Sequence, residues 1–278
     1  MKLTVLVDNK TLVDRYFHAE PALSFFIEVD NKKILFDTGY SDIFIHNAEK
    51  MEIKLANTDI IALSHGHNDH TWGLNHFIQY FTERALKKQI VKKTILVAHP
   101  MTLQPKIYDN SIVIGNILSP DILSEMFKLQ LSRKPVPLTE NLIFLGEIDR
   151  NNNFEAKNPI GQIFEDGVKK DDYLLDDSAL VYRSAKGLVI ITGCSHAGIC
   201  NIIEKAKNVC GDNRIISIIG GLHLLNPSSL QLQETIKYLA ELKPESIYAC
   251  HCTDLKSKIE LSKVVNVKEV GSGFVLCL

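Results

Sequence analysis

No stretch of this 278-residue chain stays apolar for the length a bilayer span needs, roughly 18 to 20 residues, and the most hydrophobic run, Ile215 to Leu225, is broken by Ser217 and His223. A membrane protein is therefore not expected. The amino terminus offers no long apolar core and no small-residue cleavage site, and Asp8 arrives too early for a signal peptide, so a cytoplasmic protein is expected. Cysteine is absent from the first two thirds: all six, at 194, 200, 210, 250, 252 and 277, fall in the last third, which suits buried free thiols better than a disulfide framework. Net charge is nearly lacking too. With 31 basic and 33 acidic residues the balance is -2, which gives no long-range field for capturing nucleic acid. The one basic cluster, Lys87, Lys88, Lys92 and Lys93, straddles an expected helix end and reads as a solvated face. Low-complexity tracts, Ser/Gly linkers and repeats are missing. What remains, 45% apolar and 23% charged, is an ordinary globular composition, and there is no compositional break at which to divide it.

The order of elements carries more. Leu23 to Val29 and Lys32 to Phe36 read as a hairpin across Asp30-Asn31, followed by a helix from Asp42 to about Lys50 capped by Asp42 or Ser41. A buried strand, Thr58 to Leu63, precedes a helical pattern from Trp72 to Lys88 with Leu74, Phe77, Ile78, Phe81, Ala85 and Leu86 on one face. Thr94 to Ala98 is a further strand. Residues 99 to 140, with a helix expected from Asp121 to Gln130, read as an insertion that shapes a pocket mouth or an interface. A second hairpin, Ala179 to Tyr182 with Leu188 to Thr192, opens a second half. It continues as helix Gly198 to Asn208, strand Ile215 to Ile219, helix Ser228 to Leu242, strand Ser246 to Ala249 and helix Asp254 to Val264. The two halves read alike, which suggests two sheets face to face with helices outside.

The chemistry concentrates at Leu63-Ser64-His65-Gly66-His67-Asn68-Asp69-His70, between a buried strand and a helix. In an extended loop side chains alternate, so His65 and His67 point the same way and reach one cation. Asp69 and His70 enter the first helical turn and face a second cation. Imidazole with carboxylate suits Zn, Mn or Fe. The plainer alternative is a polar loop whose histidines only cap a helix.

These residues resemble the His-x-His-x-Asp-His signature of the metallo-β-lactamase superfamily, and Phe36-Asp37-Thr38-Gly39 matches it as well. The resemblance implies an α/β protein with an αββα sandwich, a single domain over residues 1–278, and divalent ions, one or two per chain, with Zn ahead of Mn, Fe or Mg. It implies that Asp37 is not a ligand but orients one. In the second half it implies ligands at His196, in Thr192-Gly193-Cys194-Ser195-His196, and at His251, in Cys250-His251-Cys252. Cys194 stands about where many members have a bridging aspartate, and either binds zinc as a thiolate or simply packs. Cys250 and Cys252 have no matching pair and pack as small apolar residues. The family's lone histidine before the second hairpin is missing, and Asp177 or Asp176 stands there as a replacement oxygen ligand or as part of a solvated acidic loop. His223, in Gly220-Gly221-Leu222-His223, is assigned to substrate contact or proton transfer.

The resemblance implies metal-assisted hydrolysis of a small phosphorylated or ester substrate, His65, His67 and His196 holding one ion and Asp69, His70 and His251 the other. Asp69 would also orient the nucleophile. Asp-Asp-Ser-Ala-Leu, Thr-Gly-Cys-Ser-His, Gly-Gly-Leu-His-Leu and Cys-His-Cys-Thr are similar to the branch of dihydropterin ribofuranosylaminobenzene phosphate synthases, so a synthase-like transferase is an alternative. A metal-binding regulatory or ligand-binding protein is another. His67 stands where the redox diiron branch has a carboxylate, which argues against oxygen reduction.

Overall fold

The computed structural model describes every residue of the chain except 90, 91, 110 and 166. Among the described residues the first sheet has seven strands, in the order Val275–Cys277, Lys2–Val7, Ser24–Val29, Lys32–Phe36, Ile60–Ala62, Ile95–Ala98 and Lys128–Leu131. The second has six: Ser246–Cys250, Ile215–Gly221, Gly187–Thr192, Ala179–Ser184, Leu142–Phe144 and Val136–Pro137. Side-chain alternation explains why they stack. Phe25, Ile27 and Val29 point to the space between the sheets with Ile34, Phe36, Leu180, Val189 and Ile191. The intervening Phe26 and Leu35 point outward and pack under Phe44, Leu74 and Phe77 of the helices Ile43–Lys50 and Gly73–Leu86. On the other side Val181, Leu188 and Ile190 pack under Ile202, Ile203, Leu239 and Leu261 of the helices Ile199–Cys210, Ser229–Leu242 and Leu255–Ser262. Period-two burial on both faces thus produces four layers, helix, sheet, sheet, helix. This is the expected αββα sandwich.

The hairpin turn at Asp30 and Asn31 takes left-handed φ of 49° and 58°, the geometry a two-residue turn between twisted strands demands. The helix after it begins at Ile43, and its first amide donates to Ser41 Oγ, not to Asp42. Two expectations need correcting. Ala85 and Leu86, placed on the buried face of their helix, are both exposed, Leu86 at 80%, because the buried stripe ends at Phe81. The helix expected from Asp121 to Gln130 spans only Pro120–Met126; Lys128–Leu131 is a strand that pairs in parallel with Ile95–Ala98 and extends the first sheet. Residues 99 to 140 are accordingly woven into the fold. Lys106–Tyr108 and Ile112–Val113 build a small four-stranded sheet with Gln162–Glu165 and Val168–Asp171, and Val136–Pro137 joins the second sheet.

Parallel pairing aligns the strand ends that matter. Lys32–Phe36 runs parallel to Ile60–Ala62, while Gly187–Thr192, Ile215–Gly221 and Ser246–Cys250 run parallel to one another. Their carboxyl ends release Asp37, the His65–His70 segment, Cys194 to His196, His223 and His251.

Candidate metal centre

Each residue at these strand ends is held by a specific backbone device. Asp37, Ser195, His223 and His251 all adopt left-handed φ, at 57°, 64°, 49° and 49°, a costly conformation for residues with a Cβ. Asp37 is fully buried and accepts three hydrogen bonds: from Ser64 N at 2.7 Å, Ser64 Oγ at 2.7 Å and His70 Nδ1 at 2.7 Å. Ser64 Oγ in turn accepts from His65 Nδ1 at 2.9 Å. With both Nδ1 atoms donating, Nε2 of His65 and of His70 are left as lone-pair donors. His251 is treated likewise, its Nδ1 donating to Asn9 Oδ1 at 2.9 Å while its amide donates to Asp8 Oδ1 at 2.9 Å.

The freed atoms converge. Among the described residues three overlapping groups of donor atoms form: Asp69, His70, Cys194 and His251; His65, Cys194 and His196; and His65, His67 and Asp69. In the first, His70 Nε2 lies 3.2 Å from His251 Nε2 and 3.2 Å from Cys194 Sγ, and Asp69 Oδ2 lies 3.2 Å from His251 Nε2 and 3.5 Å from His70 Nε2. Tetrahedral ligands at ordinary Zn–N lengths stand about 3.3 to 3.4 Å apart, so these spacings suit a cation. His65, His67 and His196 form a triangle of rings with centroids 4.7, 4.6 and 4.8 Å apart. The Nε2 atoms of His65 and His67 and both ring nitrogens of His196 are buried without a hydrogen-bond partner. Each such orphan costs about 1 to 3 kcal/mol in a protein interior. One such nitrogen from each of the three rings makes sense as a metal ligand, and the residues fit the group that the motifs imply.

Electrostatics keep three of the imidazoles neutral and hold a proton on a fourth, His70, which a cation would have to displace. Burial pushes the His65 and His196 imidazoles well below their ordinary value, and burial together with the charge of Lys106 pushes His67 down to about 3. They are neutral, as metal ligands must be. Burial would raise Asp69, but His70 and His251 hold it well below the ordinary carboxylate range. Burial would lower His70, yet Asp69 and Asp37 hold it well above. Burial raises the Cys194 thiol, so its sulfur becomes a thiolate only with a cation to hold it.

The structure places three of the candidate donors in ways the motifs left open. Cys194 lies in two of the three groups, between the two sets of histidines. Asp69, expected with His70 and His251 alone, also groups with His65 and His67. Asp177, weighed as an oxygen ligand, lies outside all three groups: its Oδ2 accepts the Ala197 amide at 2.8 Å and so braces the turn that carries His196. Burial pushes Asp177 up to about 7. Asp176, the other candidate, is also committed elsewhere, to Lys106 and the Gly66 amide. His223 packs its ring 4.2 Å from that of His196, half-buried, at the edge of the cluster. Sequence reasoning missed Ser64, although it sits inside the motif, and Asp8 and Asn9, whose contact with His251 spans almost the whole chain.

A family model described as the metallo-beta-lactamase superfamily matches residues 19–251. The chain belongs to that superfamily. It is 32% identical over 271 residues, 93% of this chain and 89% of the other, to the 7,8-dihydropterin-6-methyl-4-(beta-D-ribofuranosyl)-aminobenzene-5'-phosphate synthase of Methanocaldococcus jannaschii. A second, uncharacterised protein of the same archaeon is 29% identical over 95% of each chain. The crystal structure of a metal-dependent hydrolase of the beta-lactamase superfamily superposes with a TM-score of 0.83 at 27% identity, covering 100% of this chain and 99% of that one. As a metallo-beta-lactamase superfamily member the protein has the strand-end cluster where such a centre is expected. No helix among its described residues is long and apolar enough to cross a membrane.

Proposed function

We propose that the protein is a metal-dependent hydrolase, or a related transferase, acting on a small phosphorylated substrate. The observation that carries this reading is a cavity of about 340 Å³ that opens on His196 and His223. Lys157, Asn158 and Ser228 line it together with the first residues of the 14-residue helix Ser229–Leu242, and no carboxylate lies among the described lining residues. In a chain with 33 acidic residues, the polar part of the wall, amides, one ammonium and a helix N-terminus set beside apolar residues such as Phe154 and Leu225, favours an anion. Divalent ions held by the donor groups of His65, His67, Asp69, His70, Cys194, His196 and His251 would supply Lewis acidity, lowering the pKa of water towards 7 and polarising a phosphoryl or carbonyl oxygen. Asp69, ionised and a quarter exposed, orients the attacking water. His223, whose pKa is raised by Cys252 against the effect of burial, donates a proton to the leaving group. A small molecule is the partner; nucleic acid has no part in this reading.

Group transfer is the second reading, and a specific feature favours it. A further cavity of about 320 Å³ lies against His67 and Asp69, walled by Tyr40 and Tyr108, with Ile160 lining both cavities. Two organic reactants could therefore meet at the donor cluster, and the archaeal relative is a synthase by name.

The test is purified protein, stripped and reloaded with Zn²⁺, Mn²⁺ or Fe²⁺, assayed for metal content and for cleavage of a generic phosphodiester. Asp69→Asn should lower turnover by about 10²-fold or more, the range for misplacing a reacting group. Full metal occupancy with no metal-dependent turnover on any ester would overturn the hydrolase reading in favour of transfer or of a metal-binding regulatory protein.

A further inference from the structure

Lys106 is completely buried, with its ammonium 2.6 Å from Asp176 Oδ1 and 2.9 Å from Asp172 Oδ2. A buried lysine between two buried aspartates is costly to assemble, and stability alone is a weak reason to keep it. Its location supplies another. The second oxygen of Asp176 accepts the Gly66 amide at 2.8 Å, and Gly66 is the residue between His65 and His67. The loop has no slack there: a Cβ on Gly66 would lie 2.6 Å from the Thr102 carbonyl and 3.0 Å from Lys106 Cε. The same strand reaches the segment a second time, since Lys106 O accepts the Ile114 and Gly115 amides and Ile114 O accepts the Asn68 amide at 2.8 Å. The small sheet is thus fastened to the ligand segment on both sides of His67.

We propose that Lys106 is a positioning residue for the metal centre: by clamping Asp176 it fixes the Gly66 amide, and with it the directions of His65 and His67. Asp172 neutralises the ammonium but has no bond to the ligand segment; its other oxygen accepts the Leu174 amide. Lys106 and Asp176 therefore tune metal affinity, and Asp172 tunes stability only. Imidazoles released from this clamp sample several rotamers, and the ion must then order them on binding.

The inference rests on the metal reading above, and its test separates the two. Zn²⁺ affinity is measured by competition with a fluorescent chelator, the visible spectrum is recorded after Co²⁺ loading, and the stability of the chelated protein is measured for the wild type, Lys106→Met and Asp172→Asn. The expected result is that both variants lose stability, while only Lys106→Met loses tenfold or more in Zn²⁺ affinity and shifts the Co²⁺ bands. If Lys106→Met does not fold, Asp176→Asn, which keeps an acceptor for Gly66 but loosens the clamp, should lower affinity at least threefold and shift the same bands. Wild-type affinity and spectrum in whichever of these two variants is measured would overturn the inference, as would equal affinity losses in Asp172→Asn. A wild type that takes up neither ion would instead overturn the metal reading itself.

Discussion

Asp37 accepts hydrogen bonds from His70 directly and, through Ser64 Oγ, from the His65 side, so one carboxylate sets two imidazole tautomers. Replacing it with alanine should lower Zn²⁺ affinity by about 10- to 100-fold, the usual cost of losing such a partner; a chelator competition that returns the wild-type constant would sink this assignment. Asp177 allows a sign to be worked out. Its carboxyl is raised by burial from 3.8 to about 7, so between those values the native chain holds a proton that the unfolded chain has released. The stability this contributes is fully present below 3.8 and is lost as pH rises through about 7. In chelated protein, Asp177→Asn should therefore exceed the wild type in stability at pH 8 by about 1 kcal/mol or more, with a smaller difference at pH 5. Denaturant midpoints at the two pH values check it. The spacing of His65, His67, Asp69 and His70 was readable because the motif is local. Asn9 left no signal at all, since its role exists only where residue 251 arrives beside it.

The helix Gly73–Leu86 shows how far periodicity reaches at the scale of an element. Its apolar stripe correctly places Leu74, Phe77 and Phe81 in the core, where Phe77 is fully buried. Phe77→Ala should cost about 3 to 5 kcal/mol in denaturant unfolding, whereas Leu86→Ala, at the exposed end, should stay within about 0.5 kcal/mol. A large loss at Leu86 would mean that the end of the helix is covered in solution. Strand Lys128–Leu131 failed the same style of reading for a physical reason. Its residues are mostly exposed, its four-residue polar–apolar alternation is too short to outweigh a helical reading, and it is extended because the free edge of Ile95–Ala98 offers hydrogen bonds. Edge pairing overrides local propensity, and no window of sequence contains the partner.

At the scale of the molecule, the donor cluster joins the two halves: His65, His67, Asp69 and His70 come from the first sheet, Cys194, His196 and His251 from the second. An ion bound there ties one sheet to the other and exists only in the folded state. Zn²⁺ at 100 times its dissociation constant should add about 2.7 kcal/mol to stability, raising Tm by about 5 to 10 °C over the chelated protein. A scanning-calorimetry trace indifferent to Zn²⁺ would contradict a centre shared by both sheets. The sequence by itself determined the four-layer architecture and the ligand-bearing loops, because alternation and helical period are local properties of covalently adjacent residues. Only the tertiary structure decided that Cys194 stands between the histidine sets, that Asp177 accepts the Ala197 amide, and that Lys106 reaches the ligand loop. Those outcomes depend on which strand ends meet in space, and contacts between distant segments leave no period in the chain that makes them.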